Sequence, residues 1–118
     1  MAAKDAVGRY GERVAVEYLT AQGMRLLDRN WRCSAGEIDA IFRDGDALVF
    51  AEVKTRRSSR YGTPADAVGY VKQARLRRLA AIWLAQTDVR PTEIRFDLVC
   101  VRPQPVGAAD VEHLRGAF

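Results

Sequence analysis

Two carboxylates and a lysine interrupt apolar runs in the middle of the chain. Asp39 lies within the run 38–42, and Glu52 and Lys54 lie within the run 49–54, although strand interiors disfavour all three residue types. Two carboxylates placed close together repel each other unless a cation lies between them. Oxygen ligands suit Mg²⁺, which takes one or two carboxylates together with waters and phosphate oxygens. The three residues therefore predict a metal site with a lysine beside it.

The position of Lys54, two residues after Glu52, indicates which chemistry such a site would perform. A lysine beside a bound metal can orient an attacking water or neutralise charge that develops on a phosphorus centre. Metal-assisted hydrolysis of a phosphodiester is the reaction that this arrangement favours. The alternative is a solvated, charged hairpin face on which Lys54 only pairs with Asp39.

Two strands joined by a tight turn must position these residues. The dipeptide Asp44-Gly45 between two strand-like runs is a strong hairpin signal. With a two-residue loop Arg43 pairs with Asp46, and with a four-residue loop it pairs with Leu48. In both registers the two carboxylates and the lysine share one face of the sheet, whereas a one-residue bulge would break this arrangement.

The patterns on either side of the hairpin predict two helices and two further strands. Their ranges are 1–22 (helix), 24–31 (strand), 65–86 (helix) and 93–101 (strand). The tail, 110–118, is compatible with a short edge strand. Because the second helix crosses over the sheet, the strand after it can lie parallel to the third strand. We therefore predict one α/β domain over residues 1–118, with a helix on each face of the sheet.

The composition is that of a globular protein with a basic balance. Hydrophobic residues make up 48% of the 118 residues and charged residues 29%, and 19 Lys and Arg outnumber 15 Asp and Glu. Sixteen of these cations are Arg, whose planar side chain donates paired hydrogen bonds to phosphate. An Arg bias is equally compatible with a GC-rich genome. The composition therefore permits an anionic partner without establishing one.

Several classes of protein do not fit the sequence. No apolar run approaches the length of a membrane helix, and the N-terminal residues lack the apolar region of a secretory signal. Cys33, Cys100 and His113 share no metal-ligand spacing, and two distant cysteines do not form a disulfide framework. We expect a cytoplasmic protein with reduced thiols, no membrane partner and a structural His113.

The acidic residues and Lys54 belong to a longer pattern. Gly36-Glu37-Ile38-Asp39, followed by Glu52-Val53-Lys54, resembles the D-x(n)-E-x-K signature of the PD-(D/E)xK, or restriction-endonuclease-like, nucleases. Nearly the whole chain is similar to the YraN-like family of predicted endonucleases, whose core resembles that of archaeal Holliday-junction resolvases. The further matching residues are Gly11-Glu12, Asn30-Trp31-Arg32, 50–56, Lys72-Gln73, Arg95-Phe96-Asp97 and Ala117-Phe118.

This resemblance implies a restriction-endonuclease-like α/β/α core and a role for each residue of the short pattern. Asp39 and Glu52 would bind Mg²⁺ or Mn²⁺ together with the carbonyl oxygen of Val53, and Lys54 would be the catalytic lysine. Ile38 stands where the superfamily name has Pro, a position that is commonly relaxed.

The resemblance also extends to residues outside the hairpin core. Glu12 would complete the site from the first helix and Gln73 would support it from the second; the alternatives are a solvated carboxylate and an ordinary surface Gln. Glu37 fits either a residue that supports the metal ligands without contacting the metal, or an additional outer ligand of the metal. Phosphate contacts are expected from the basic side chains of the following loop and helix. These are Arg56, Arg57, Arg60 and Lys72.

The function that follows from the resemblance is metal-dependent cleavage of DNA, on branched or single-stranded substrates. The alternative is an accessory protein that binds nucleic acid at the same site without cutting, and a purely structural domain would bind no metal at all. A junction resolvase needs two symmetric active sites, so that substrate predicts a homodimer.

Overall fold

A five-stranded sheet lies between two helices in the computed structural model, which describes residues 6–56 and 69–118. The elements are α1 (Ala6–Ala21), β1 (Arg25–Cys33), β2 (Gly36–Asp44), β3 (Ala47–Thr55), α2 (Tyr70–Ala85), β4 (Glu93–Arg102) and β5 (Asp110–Leu114). The predicted order is confirmed, including the short edge strand. Within the predicted range 65–86, α2 begins only at Tyr70, and residues 65–68 lie outside the described part of the chain.

The strands lie in the sheet in their chain order, from β1 to β5. The first three form an antiparallel meander, β4 runs parallel to β3 after the α2 crossover, and β5 returns antiparallel to β4. This arrangement confirms the predicted α/β fold class with its parallel final core strand.

The β2–β3 turn corrects one predicted register. Asp44 pairs with Ala47, so the two-residue loop begins at Gly45 and not at Asp44. Gly45 has a φ of +61°, which the first loop residue of a tight hairpin turn requires and glycine adopts without strain. Arg43 consequently lies opposite Leu48, the second of the two predicted registers.

The two helices bury opposite faces of this sheet. Ala15 and Leu19 of α1 pack in one apolar cluster. Its sheet residues are Ala40, Phe42, Val49, Ala51, Val99 and Val101. Leu76, Leu79 and Trp83 of α2 pack in a second cluster. Its sheet residues are Ile38, Ile41, Leu48, Phe50 and Phe96. The sheet is therefore a middle layer whose strands are apolar on both sides.

A buried ion cluster attaches the C-terminal residues to β4. Asp97 is fully buried and accepts hydrogen bonds from Arg95 Nε (2.9 Å) and from the Gly116 N–H (3.0 Å). Its Oδ2 lies 2.7 Å from Nε2 of His113, the residue expected to be structural. Burial acts to raise the pKa of Asp97, but these hydrogen bonds outweigh it and hold the pKa below its usual value.

No helix among residues 6–56 and 69–118 is long and apolar enough to cross a membrane.

Candidate active site

A polar cavity of about 330 Å³ opens where β3 ends, beside the first turns of α1. The residues that line it are Val7, Gly8, Glu12, Glu37, Asp39, Glu52, Val53, Lys54 and Thr55. Four carboxylates from α1, β2 and β3 thus surround one lysine. Every acidic residue singled out in the sequence lies at this one place, together with Lys54.

Asp39 lies where β1 and β2 both depart from regular alternation. Ile38 and Ile41 pack in the same cluster although they are three residues apart, so the side chains change face between them. Asn30, opposite Asp39 between the Arg29–Ala40 and Trp31–Ile38 pairs, has a φ of +52°. Left-handed backbone is accessible to Asn at lower cost than to most residues. Regular alternation along the strands was expected to place Asp39, Glu52 and Lys54 on one face of the sheet. The structure instead has a local irregularity in β1 and β2 at Asp39.

The irregularity brings Asp39 onto the backbone of β3. The N–H of Val53 donates a hydrogen bond of 2.8 Å to Oδ2 of Asp39. The paired register of β2 and β3 runs only as far as Ala40 opposite Ala51, and its continuation sets Asp39 opposite Glu52. The side chain of Asp39 thus joins the two strands at the level of the cavity, and it is held next to both Val53 and Glu52.

Glu52 contacts two lysines through the same oxygen atom. Oε1 lies 2.7 Å from Nζ of Lys72 and 3.7 Å from Nζ of Lys54. The Glu52 side chain is only 9% exposed, whereas the side chain of Lys72 is 31% exposed. Lys72, expected to contact phosphate, is therefore placed by the first turn of α2 on a carboxylate of the cavity.

Burial and neighbouring charges shift the pKa values of Glu52, Lys54 and Lys72. Burial raises the pKa of Glu52, and the negative charge of Asp39 raises it further, against the opposing effect of the lysines. Burial also lowers the pKa of Lys54, and the adjacent Lys72 adds to the lowering. For Lys72, burial acts to lower the pKa, but hydrogen bonding to Glu52 and Lys54 outweighs it and raises the pKa. Lys72 is thus the more firmly protonated of the two lysines.

A close contact between α1 and β3 sets the position of Glu12. A Cβ atom added to Gly11 would lie only 1.7 Å from Oγ1 of Thr55, so no other residue fits there unless α1 or Thr55 shifts. The neighbouring Glu12 is 8% exposed and faces the cavity, which is not the solvated helix carboxylate of the alternative interpretation. Thr55 was not singled out from the sequence; the unusual glycine in α1 was the available signal.

The remaining predicted residues lie at or beyond the rim. Glu37 lines the cavity and pairs with Arg32, whose Nε lies 2.8 Å from Oε2. Gln73 is in the first turn of α2 but is not among the described residues that line the cavity. Arg56 directly follows β3 and is exposed. Arg57 and Arg60 lie outside the described residues.

The donor set fits a hard divalent cation. Among residues 6–56 and 69–118, no group of three or more His, Cys, Asp and Glu side chains is arranged to hold a metal ion by itself. Mg²⁺ needs only one or two carboxylates, because it keeps several waters. Asp39 and Glu52 supply these carboxylates, and Val53, whose carbonyl is the expected third ligand, lines the same cavity. Both lysines contact Oε1 of Glu52.

The fold and the cavity define an α/β protein with an acidic, lysine-containing site at one end of its central strands. Comparison with known sequences shows that the chain belongs to the family described as "Uncharacterised protein family UPF0102", the YraN-like group, with the match spanning residues 11–101.

Its relatives match over almost their whole length. A UPF0102 protein of Frankia alni is 58% identical over 118 residues, which is 100% of this chain and 98% of the relative. A UPF0102 protein of Beutenbergia cavernae is 57% identical over 116 residues, 98% of each chain. A third, from Frankia casuarinae, is 53% identical over 100% of both chains.

Proposed function

We propose that this protein is a metal-dependent endonuclease of the PD-(D/E)xK type that hydrolyses phosphodiester bonds in DNA. The observation that carries the proposal is the presence of Asp39, Glu52 and Lys54 on one cavity, with Glu12 reaching the same cavity from α1. Paired carboxylates with an adjacent lysine are suited to holding a cation, a water and a phosphate together.

The metal-binding residues and Lys54 have different roles in this mechanism. Asp39, Glu52 and the carbonyl of Val53 would bind Mg²⁺ or Mn²⁺, which would supply Lewis-acid activation of water and of the scissile phosphate. Lys54 lies next to Glu52 and donates hydrogen bonds to the attacking water or to the charge that develops on the phosphate. Its lowered pKa makes proton exchange with water easier than for an ordinary lysine.

The charge of α2 supports an anionic polymer as the substrate. The helix carries four cations and no carboxylate over its sixteen residues. These cations are Lys72, Arg75, Arg77 and Arg78. Arg75, Arg77 and Arg78 are exposed, Lys72 contacts the cavity carboxylate Glu52, and Arg56 is exposed at the end of β3; we call these five cations the basic surface. Phosphate contacts of this kind hold a nucleic acid in register without reading its sequence. Symmetric cleavage of a four-way junction would further require two copies of the chain.

One observation favours a second candidate function. The Lys72–Glu52 ion pair neutralises a buried carboxylate without any metal, so the basic surface can bind nucleic acid independently of hydrolysis. The second candidate is therefore an accessory protein that binds DNA with a steep salt dependence and does not cut it.

End-labelled DNA distinguishes these candidates. Duplex, single-stranded and four-way substrates are incubated with Mg²⁺, Mn²⁺ or EDTA and resolved on denaturing gels. We expect metal-dependent cleavage, and its loss in Asp39→Asn and Glu52→Gln. Glu112→Gln, an exposed strand glutamate on β5, is the matched control and retains cleavage. Binding without cleavage on every substrate would favour the accessory protein.

A further inference from the structure

The ion pair between Lys72 and Glu52 joins α2 to β3 at the cavity. Glu52 belongs to β3, and Lys72 belongs to the first turn of α2. Their contact of 2.7 Å is shorter by one ångström than that of Lys54, which lies on the same strand as Glu52. Of the two lysines that contact Glu52, Lys72 therefore has its ammonium group closer to this proposed metal ligand.

An ammonium group and a divalent cation compete for such a carboxylate. A carboxylate with two lysines on Oε1 has already gained much of the attraction that a metal would provide. A metal bound to Glu52 would also place two positive charges next to the Lys72 ammonium, and like charges at this distance repel. Metal binding must therefore weaken or break the Lys72 contact.

We propose that Lys72 is a built-in counter-ion of the metal site, whose ammonium group occupies Glu52 in the metal-free protein and lowers its affinity for divalent cations. The inference rests on the proposed function only in assuming that Asp39 and Glu52 bind the metal. It assigns Lys72 a task that differs from a phosphate contact, because the effect is present without any nucleic acid.

Calorimetric titration of the metal-free protein with Mn²⁺ alone tests this inference. Lys72→Met keeps an unbranched side chain that is one heavy atom shorter, and it removes the charge. We expect it to bind Mn²⁺ about fivefold more tightly or better, which is a typical strength for coupling between two competing sites. Arg25→Met removes the same charge from an exposed position next to the hairpin turn, at the other end of the strands, and should leave the affinity within about twofold.

Thermal unfolding provides the second measurement. Without metal, Lys72→Met should melt below the wild type, because the buried Glu52 is left with only the longer contact to Lys54. Added Mn²⁺ should then raise its melting temperature more than that of the wild type, since tighter binding to the folded state stabilises it more. Lys72→Arg retains the charge, should keep an affinity near that of the wild type, and serves as the folded comparison if Lys72→Met does not fold.

The outcomes separate this inference from the proposed function. Equal Mn²⁺ affinity of the wild type and Lys72→Met would overturn the counter-ion role while leaving the metal site intact. Weaker binding by Lys72→Met would show that the lysine only supports the local structure, and it too would overturn the inference. Tighter binding by Lys72→Met in a protein that cuts no DNA would support the inference and contradict the nuclease. Absence of Mn²⁺ binding in every variant would overturn both.

Discussion

Asn30 of β1 lies directly opposite Asp39 of β2. At this pair, the side chains of both strands depart from regular alternation between the two faces of the sheet. Asn30 has left-handed backbone, with a φ of +52°, and the pairs on either side of it are regular. On β2, Ile38 and Ile41 face the same helix as a result. This local irregularity allows the carboxylate of Asp39 to accept the N–H of Val53 and to face the cavity. The left-handed backbone of Asn30 in β1 thus helps to position the carboxylate of Asp39 in β2.

The backbone of Asn30 gives the first prediction. Asn30→Val places a β-branched residue in left-handed backbone and should lower the free energy of unfolding by about 1–3 kcal/mol. Asn30→Gly meets no such restriction and should cost less than Asn30→Val. Denaturant unfolding of both variants checks the order. Equal losses would show that the side chain of Asn30, and not its backbone conformation, is what the fold requires.

At Gly11, we expect a Gly→Ala substitution to change the free energy of unfolding in the direction opposite to the usual one. Gly→Ala inside a helix ordinarily stabilises a protein by about 1 kcal/mol. Here the new Cβ would overlap Oγ1 of Thr55, so Gly11→Ala should instead destabilise by about 1–3 kcal/mol through displacement of α1. Gly69→Ala is the control without overlap, because no described atom lies within 4 Å of the new Cβ and φ is −75°; as Gly69 is the N-cap of α2, it should cost no more than about 1 kcal/mol. The same unfolding measurement applies, and stabilisation by Gly11→Ala would contradict the close contact of α1 with β3.

The buried Asp97 predicts how stability depends on pH. Its folded pKa lies below the unfolded value of 3.8, so its contribution is complete above that value and is lost as the pH falls through the folded pKa. At pH 7, Asp97→Asn should lower the free energy of unfolding by about 3 kcal/mol, because it leaves Arg95 with a weakened partner.

The difference in the free energy of unfolding between the wild type and Asp97→Asn should narrow below about pH 4, where the carboxylate of the unfolded wild-type chain becomes protonated, and should disappear as the pH falls through the lower folded pKa. Urea unfolding between pH 3 and pH 7 measures this change. The exposed Asp46→Asn should stay within about 0.5 kcal/mol of the wild type over the range. A gap for Asp97→Asn that is constant with pH would show that the ion cluster does not titrate as described.

The sequence was sufficient for the order of the elements and for the grouping of the acidic residues. Periodic apolar residues locate helices and strands, and a hairpin brings Asp39 near Glu52 whatever its register. Contacts between distant elements could not be predicted. Lys72 reaches Glu52 only because α2 packs against the sheet, and Thr55 meets Gly11 only because α1 does. The position of the β2–β3 hairpin loop could not be predicted either, because it depends on which residue adopts positive φ. In the structure that residue is Gly45, where the turn begins.

Lys54 provides the most direct test of the account, because it lies beside the proposed metal ligands without being one of them. Lys54→Ala removes the ammonium group that we propose contacts the attacking water or the phosphate, and it leaves Asp39 and Glu52, which line the same cavity, unchanged. The decisive measurement is the rate of Mn²⁺-dependent cleavage of end-labelled DNA by this variant, made alongside its Mn²⁺ affinity and its circular dichroism. The account predicts a folded protein that still binds Mn²⁺ and cuts at least about a hundredfold more slowly than the wild type. Cleavage at the wild-type rate by folded Lys54→Ala would contradict it.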